Sequence, residues 1–132
     1  IFVLMSDGEM NSGTIWESAM LSSKLKLDNL VAIVDYNKFQ ATGRSNEILN
    51  IKPLNKKWKS FGWEVLECDG NNHSSISLNL KKLLKNKNKP KILICHTIKG
   101  KGVNFMENDN NWHYRSPTRD ELAQSKIQLG IK

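Results

Sequence analysis

Short apolar runs alternate with amphipathic stretches along the whole chain. Ile1 to Met5 and Leu30 to Val34, the latter continuing to Tyr36, are rich in Ile, Val and Leu and bounded by polar turn residues. Runs of that length and composition suit strands buried on both faces of a parallel sheet. Trp63 to Cys68 and Lys91 to Thr97 read as two further strands. Between them the period lengthens. Ile15, Trp16, Ala19, Met20 and Leu25 recur at helical spacing from a start near Ser12, and Ile76, Leu80, Leu83 and Leu84 form one stripe of a helix over Ser74 to Leu84. Pro53 can open a short helix, because its missing N–H costs nothing in a first turn; Trp58 and Phe61 then face inward and Gly62 stops it. Asp69-Gly70-Asn71-Asn72 is a turn cluster, and Asn37 to Asn50 a polar loop containing Gly43. Thr118 and Glu121 form a capping box that starts a terminal helix reaching about Leu129. Ile98 to Pro117 has no regular period, which in a compact domain marks a functional loop. Alternating strands and helices predict one α/β domain over residues 1–132, a mainly parallel sheet flanked by helices.

The 132 residues suffice for one domain with a real core. The sequence opens on Ile, already inside an apolar run, so the expectation is a partial domain lacking an upstream segment. Lys and Arg number 20 against 13 Asp and Glu, a net charge of +7. The excess gathers at Lys52, Lys56, Lys57 and Lys59, then at Lys81, Lys82, Lys85, Lys87, Lys89 and Lys91. Such a balance can signal nucleic acid, but leucines thread the second cluster and no aromatics interleave it. It reads as the solvated face of an amphipathic helix with its exit loop, with no specific nucleic-acid partner. No apolar stretch approaches the ~20 residues of a membrane span, and the expected compartment is the cytoplasm. Cys68 and Cys95 have no short-spaced partner and read as buried free thiols.

Asp7-Gly8 directly follows the first apolar run, and Asn37 follows the second. In open α/β sheets ligands collect beyond the carboxyl ends of the strands, so these distant residues are expected to converge. A carboxylate and an amide carbonyl are hard oxygen ligands that suit Mg²⁺ with a phosphate completing the shell. Gly8 lets the backbone approach that phosphate. Lys99-Gly100-Lys101-Gly102 leaves the same sheet edge, its glycines freeing the backbone to wrap an anion; Lys99 and Gly100 are the expected phosphate contacts. His73 reads as a helix-start residue and His96 as a structural strand histidine, whereas His113 follows Trp112 in the irregular loop.

Ser6-Asp7-Gly8-Glu9-Met10-Asn11 through Asp35-Tyr36-Asn37 resembles the thiamine-diphosphate signature, a Gly-Asp-Gly answered about thirty residues on by Asn. Trp16-Glu17-Ser18-Ala19-Met20, the block Lys26 to Asp35, Phe61-Gly62-Trp63-Glu64-Val65 and His96 to Val103 resemble the amino-terminal half of transketolase, most closely its split form with the halves on separate chains. The resemblance runs from residue 1 to about Gly130. It implies a thiamine-diphosphate-binding fold and two cofactors, thiamine diphosphate and Mg²⁺. Asp7, Asn37 and the backbone carbonyl of Phe39 would hold the metal, Asp7, Gly8, Glu9, Asn37, Phe39, Lys99 and Gly100 the cofactor, and His113 would act on the substrate. It also implies a transferase of carbohydrate metabolism, in the pentose phosphate pathway, that moves a two-carbon ketol unit from a ketose phosphate to an aldose phosphate. The cofactor-activating glutamate would lie on a carboxyl-terminal half or companion subunit in a homo- or hetero-oligomer, leaving this chain inactive alone.

This sequence departs from the family pattern at Ser6, where a Gly is usual, at Ser12, where a Glu is usual, and at Tyr114, which replaces a Gly. Positive φ at Ser6 would be costly; Glu9 is a candidate to compensate for Ser12. The alternatives are a related thiamine-diphosphate synthase, such as deoxyxylulose phosphate synthase, and a non-catalytic basic binding module.

Overall fold

The computed structural model describes residues 1–131. In chain order the elements are strand β1 (Phe2–Ser6), a 3-10 turn at Gly8–Asn11, helix α1 (Gly13–Lys24), strand β2 (Val31–Tyr36), a small hairpin of β3 (Phe39–Gln40) and β4 (Gly43–Arg44), helices α2 (Ser45–Ile48) and α3 (Leu54–Ser60), strand β5 (Glu64–Asp69), helix α4 (His73–Leu83), strand β6 (Lys91–His96), a 3-10 turn at Asn110–His113, and helix α5 (Arg119–Gln128). The four longer strands form one parallel sheet in the order β1-β2-β6-β5. All their carboxyl ends therefore share one edge. Beyond that edge lie Asp7, Asn37, Gly70 and Thr97.

Two apolar layers sandwich the sheet. On one face Met5, Ala32, Val34, Val65, Ile92 and Ile94 pack with Ala19, Leu54, Trp58 and Trp63, the last two rings meeting edge-on at 4.7 Å. The Trp63 indole is satisfied by the Ala19 carbonyl at 2.9 Å, so burying this large ring leaves no orphan donor. On the other face Leu93, Cys68 and Cys95 pack with Leu83, Ile76 and Leu80 of α4. Gly62 ends the α3 segment at φ 86°, a conformation closed to most side chains. The Thr118–Glu121 capping box is present, with both reciprocal bonds made.

Several expectations need correction. β2 and β6 are buried along most of their length, whereas β1 and β5 are the two ends of the sheet within the described residues, and Phe2, Val3 and Leu4 of β1 are exposed with Met5 buried. Met20, Leu25 and Leu84 are exposed too, because the buried stripes of α1 and α4 are centred on Ala19 and Ser22 and on Leu83. The segment 37–50 is no plain loop, since it holds the β3–β4 hairpin and α2. Lys91 is not solvated. It is buried at the start of β6, its ammonium satisfied by the Asp28 and Lys89 carbonyls. The other lysines of that cluster are exposed as expected.

Candidate functional site

Asp7 sits where β1 ends, and it is fully buried. Its Oδ2 accepts from the backbone N–H of Lys38 at 2.9 Å and from the Ser45 hydroxyl at 2.8 Å. Oδ1 is buried and has no partner. Burial is the main reason the carboxyl is pushed above its ordinary value, with the nearby Asp35 adding to it; the Ser45 and Lys38 bonds pull the other way. The hairpin and α2, which the sequence conceals inside a polar loop, thus serve to deliver two donors to one oxygen and leave the other bare. A buried carboxylate oxygen without a donor is costly unless a cation completes it.

Around Asp7 opens a cavity of about 380 Å³, lined by Ser6, Gly8, Glu9, Asn37, Phe39, Gln40, Ala41, Lys99 and His113. Four separate segments therefore meet: the turn after β1, the hairpin after β2, the loop after β6 and the 3-10 turn at Asn110–His113. Asn37 Oδ1 accepts from the Phe39 N–H at 2.8 Å, an Asx-type turn that fixes the amide at the strand end while leaving that oxygen a second lone pair. Asp35 orients the other side of the Asn37 amide, accepting from Nδ2 at 3.4 Å, and takes the Thr97 hydroxyl on Oδ1. At Gly8 an added Cβ would lie 3.4 Å from Gln40 Cγ, an ordinary contact that would take up space at the cavity wall.

Of the residues predicted for the site, Gly8, Glu9, Asn37, Phe39, Lys99 and His113 line the cavity, and Asp7 lies buried between the lining residues Ser6 and Gly8. Gly100 does not line it. Its φ is 73°, and a Cβ there would meet the Met106 carbonyl oxygen at 2.4 Å, so this glycine answers to the folding of its own loop. Lys101 points elsewhere and pairs with Glu107 at 3.2 Å. The Glu9 carboxylate folds back on Ser6, accepting its N–H at 2.6 Å and its hydroxyl at 3.2 Å. Ser6 is the last residue of β1 and has no positive φ, so the strain expected of a serine there is absent. Ser12 hydrogen-bonds Thr14 at 2.9 Å and is exposed. His113 is exposed, its ring edge-on to Tyr114 at 4.9 Å. The loop carrying it is tied down by Asn110 Nδ2 donating to the Ala41 carbonyl at 3.1 Å and by the Trp112 indole donating to the Phe105 carbonyl at 3.0 Å. His96 pairs with Glu67 at 2.7 Å, a satisfied structural histidine as expected.

Sequence reasoning missed Ser45, Asp35, Thr97 and Gln40. Ser45 and Gln40 carry no motif of their own, and only the hairpin segment that returns Ser45 to Asp7 and lays Gln40 beside Gly8 gives them a role. Asp35 and Thr97 had a legible signal, each standing at or just beyond the end of an apolar run.

A family model described as the transketolase thiamine diphosphate binding domain matches residues 1–132. Similar proteins include one of the subunits of the apulose-4-phosphate transketolase of Actinobacillus succinogenes, 43% identical over 98% of this chain and 46% of that protein. A 6-deoxy-6-sulfo-D-fructose transketolase subunit from a Clostridium species is 41% identical over 98% of this chain and 47% of that protein. The chain thus spans somewhat under half the length of these relatives. The crystal structure of Campylobacter jejuni transketolase superposes with a TM-score of 0.93 at 26% identity, covering 100% of this chain and 21% of that one. A Pichia stipitis transketolase complex with fructose 6-phosphate gives 0.90 at 26% identity, covering 99% and 19%.

Proposed function

This chain belongs to the transketolase thiamine diphosphate-binding domain family, and from that premise we propose that residues 1–132 form a diphosphate-binding portion of a split-type, Mg²⁺-dependent transketolase. The observation that carries the metal assignment is the bare Oδ1 of Asp7, buried and unpartnered at the end of β1. Asp7 supplies the charge for Mg²⁺, and Asn37 and the Phe39 carbonyl supply neutral oxygens, a donor set of the hard type this ion takes. Gly8 leaves room for a diphosphate, and Lys99 brings a cation to the same cavity. When bound, thiamine diphosphate supplies the nucleophilic thiazolium carbon that carries a two-carbon ketol unit. The protein's part is position and charge. Ser45 and the Lys38 N–H fix the Asp7 carboxylate, Asp35 holds the Asn37 amide, and the Asn110 and Trp112 bonds hold His113 over the cavity mouth, where its imidazole can donate or take a proton at a substrate oxygen.

The proposed donor and acceptor are sugar phosphates, and the names of the relatives, one an apulose 4-phosphate enzyme and one a sulfo-sugar enzyme, support an anionic ketose. That these relatives are named as single subunits of their transketolases supports a companion chain that completes the site, in a homo- or hetero-oligomer, with this chain inactive without it. Calorimetry of the assembled protein tests the metal site: Mg²⁺ and thiamine diphosphate should bind cooperatively, and Asp7→Ala should abolish both binding and cooperativity. Equal affinity in the variant would remove the assignment.

A further inference from the structure

β5 and β6 run parallel in a register that sets Cys68 directly beside Cys95. Their sulfurs stand 3.7 Å apart, and both are free thiols. Adjacent strands lie about 4.8 Å apart, inside the ~4.4–6.8 Å Cα span that a disulfide bridges. Closing the sulfurs to the bonded distance therefore asks for side-chain rotation, with no separation of the strands. The two thiols differ in access. Cys95 is covered by the turn after β5, where a Cβ on Gly70 would lie 2.8 Å from Cys95 Cβ, whereas Cys68 forms part of the wall of an open cavity of about 570 Å³ with Asp69, Asn71, His96 and Thr97. Both residues are buried, 8% exposed at Cys68 and 5% at Cys95, and both pack beneath α4, so of the two only Cys68 borders an open cavity.

We propose that Cys68 and Cys95 are a reversible oxidation site, converted to a cross-strand disulfide by hydrogen peroxide. The Cys68 thiolate attacks a peroxide oxygen and the O–O bond breaks. A sulfenic acid forms on Cys68, and the departing oxygen takes up the thiol proton and leaves as water. Cys95 sulfur then attacks Cys68 sulfur, the S–O bond breaks, and a second water leaves with the Cys95 proton. The peroxide gains two electrons and the two thiols lose them. The groups facing the pair set its tempo. Burial above all holds both thiols up, Cys95 to about 12; at Cys95 the neighbouring Cys68 and then Asp35 of β2 add to the rise, whereas at Cys68 the bond to Cys95 and, less, the Ser75 hydroxyl of α4 pull down while Asp69 pushes up. The reaction is accordingly slow at neutral pH and base-accelerated. The link would tie β5 to β6 two residues before Thr97, whose hydroxyl is bonded to Asp35.

The test treats the native full chain with hydrogen peroxide, quenches, alkylates remaining thiols under denaturing conditions and maps the peptides. A linked Cys68–Cys95 peptide should form, disappear on reduction with dithiothreitol, and form faster by about tenfold per pH unit between about pH 7 and pH 9. Cys95→Ser should stop at a dimedone-trappable sulfenic acid on Cys68, and Cys68→Ser should leave Cys95 unmodified at the same dose. Full alkylation of both thiols in wild type after prolonged peroxide treatment at about pH 9, where the thiolate is most available, would overturn the proposal. So would Cys68 passing to sulfinic acid with no linked peptide.

Discussion

Asp7 shows what burial does to a single carboxyl group. Burial raises its carboxyl above the ordinary value, so the native chain keeps a proton there at pH values where the unfolded chain has lost it. The stabilising contribution of this group is therefore complete below the unfolded value and declines as pH rises through the raised native value. Wherever the native group is ionised without cofactor, it is a net cost. Asp7→Asn should accordingly raise the thermal stability of cofactor-free protein at pH 7, by a gain on the order of 1 kcal/mol. The difference should vanish below the window, and added Mg²⁺ and thiamine diphosphate should no longer stabilise the variant. Thermal melts across pH with and without the ligands read all three effects. His113 belongs to the other class of residue. It is exposed at the cavity mouth and bonds nothing beneath it, so His113→Ala in the assembled enzyme should leave cofactor affinity nearly intact and lower turnover by about 10²–10⁴-fold. Unchanged steady-state turnover at saturating cofactor would make the Trp112-His113-Tyr114 turn structural.

At the level of elements, the loop between β6 and α5 is held by backbone turns that leave no slack. Asn108 N–H bonds the Lys99 carbonyl at 3.0 Å, and Gly102 N–H bonds the Glu107 carboxylate at 3.1 Å, a bond that heads the reasons the Glu107 carboxyl titrates below its usual range. Gly100→Ala puts a Cβ against the Met106 carbonyl at a positive φ, and should destabilise the protein by about 1–3 kcal/mol in urea unfolding. Loss of thiamine diphosphate affinity with stability unchanged would instead favour a direct phosphate contact at Gly100. Helix α5 rests on its cap: the Thr118 hydroxyl accepts from Glu121 N–H at 3.3 Å, and the Glu121 carboxylate accepts from Thr118 N–H at 2.8 Å. Thr118→Ala should cost about 1 kcal/mol, read as a lowered melting temperature with cofactor affinity retained, since the helix lies outside the cavity wall.

Across the whole molecule charge and function separate. Lys81, Lys82, Lys85, Lys87 and Lys89 lie exposed on α4 and its exit, while α4 covers the sheet face bearing Cys68 and Cys95 and takes no part in lining the cavity around Asp7. Without stacking aromatics on that face, any nucleic-acid association should be weak and erased by physiological salt. A tight, sequence-selective complex in a filter-binding or anisotropy titration would refute this. Among the described residues no helix is long and apolar enough to cross a membrane.

The sequence by itself determined the α/β alternation, the positions of the four long strands and of α1, α3, α4 and α5 to within a residue or two, and the convergence of Asp7, Asn37 and Lys99 at one sheet edge, because periodicity and strand ends are local properties that short windows of chain reveal; His113 was placed there by the family resemblance. It also disclosed the family, through ordered blocks of residues. Tertiary structure alone decided that Ser45 reaches Asp7, that Gln40 reaches Gly8, that Lys91 is buried, that Gly100 stands against Met106, and that Cys68 and Cys95 touch. The physical reason is common to all five. Each depends on which strand lies beside which, or on where a loop returns, and two side chains 27 residues apart become neighbours only when β5 and β6 pair in register.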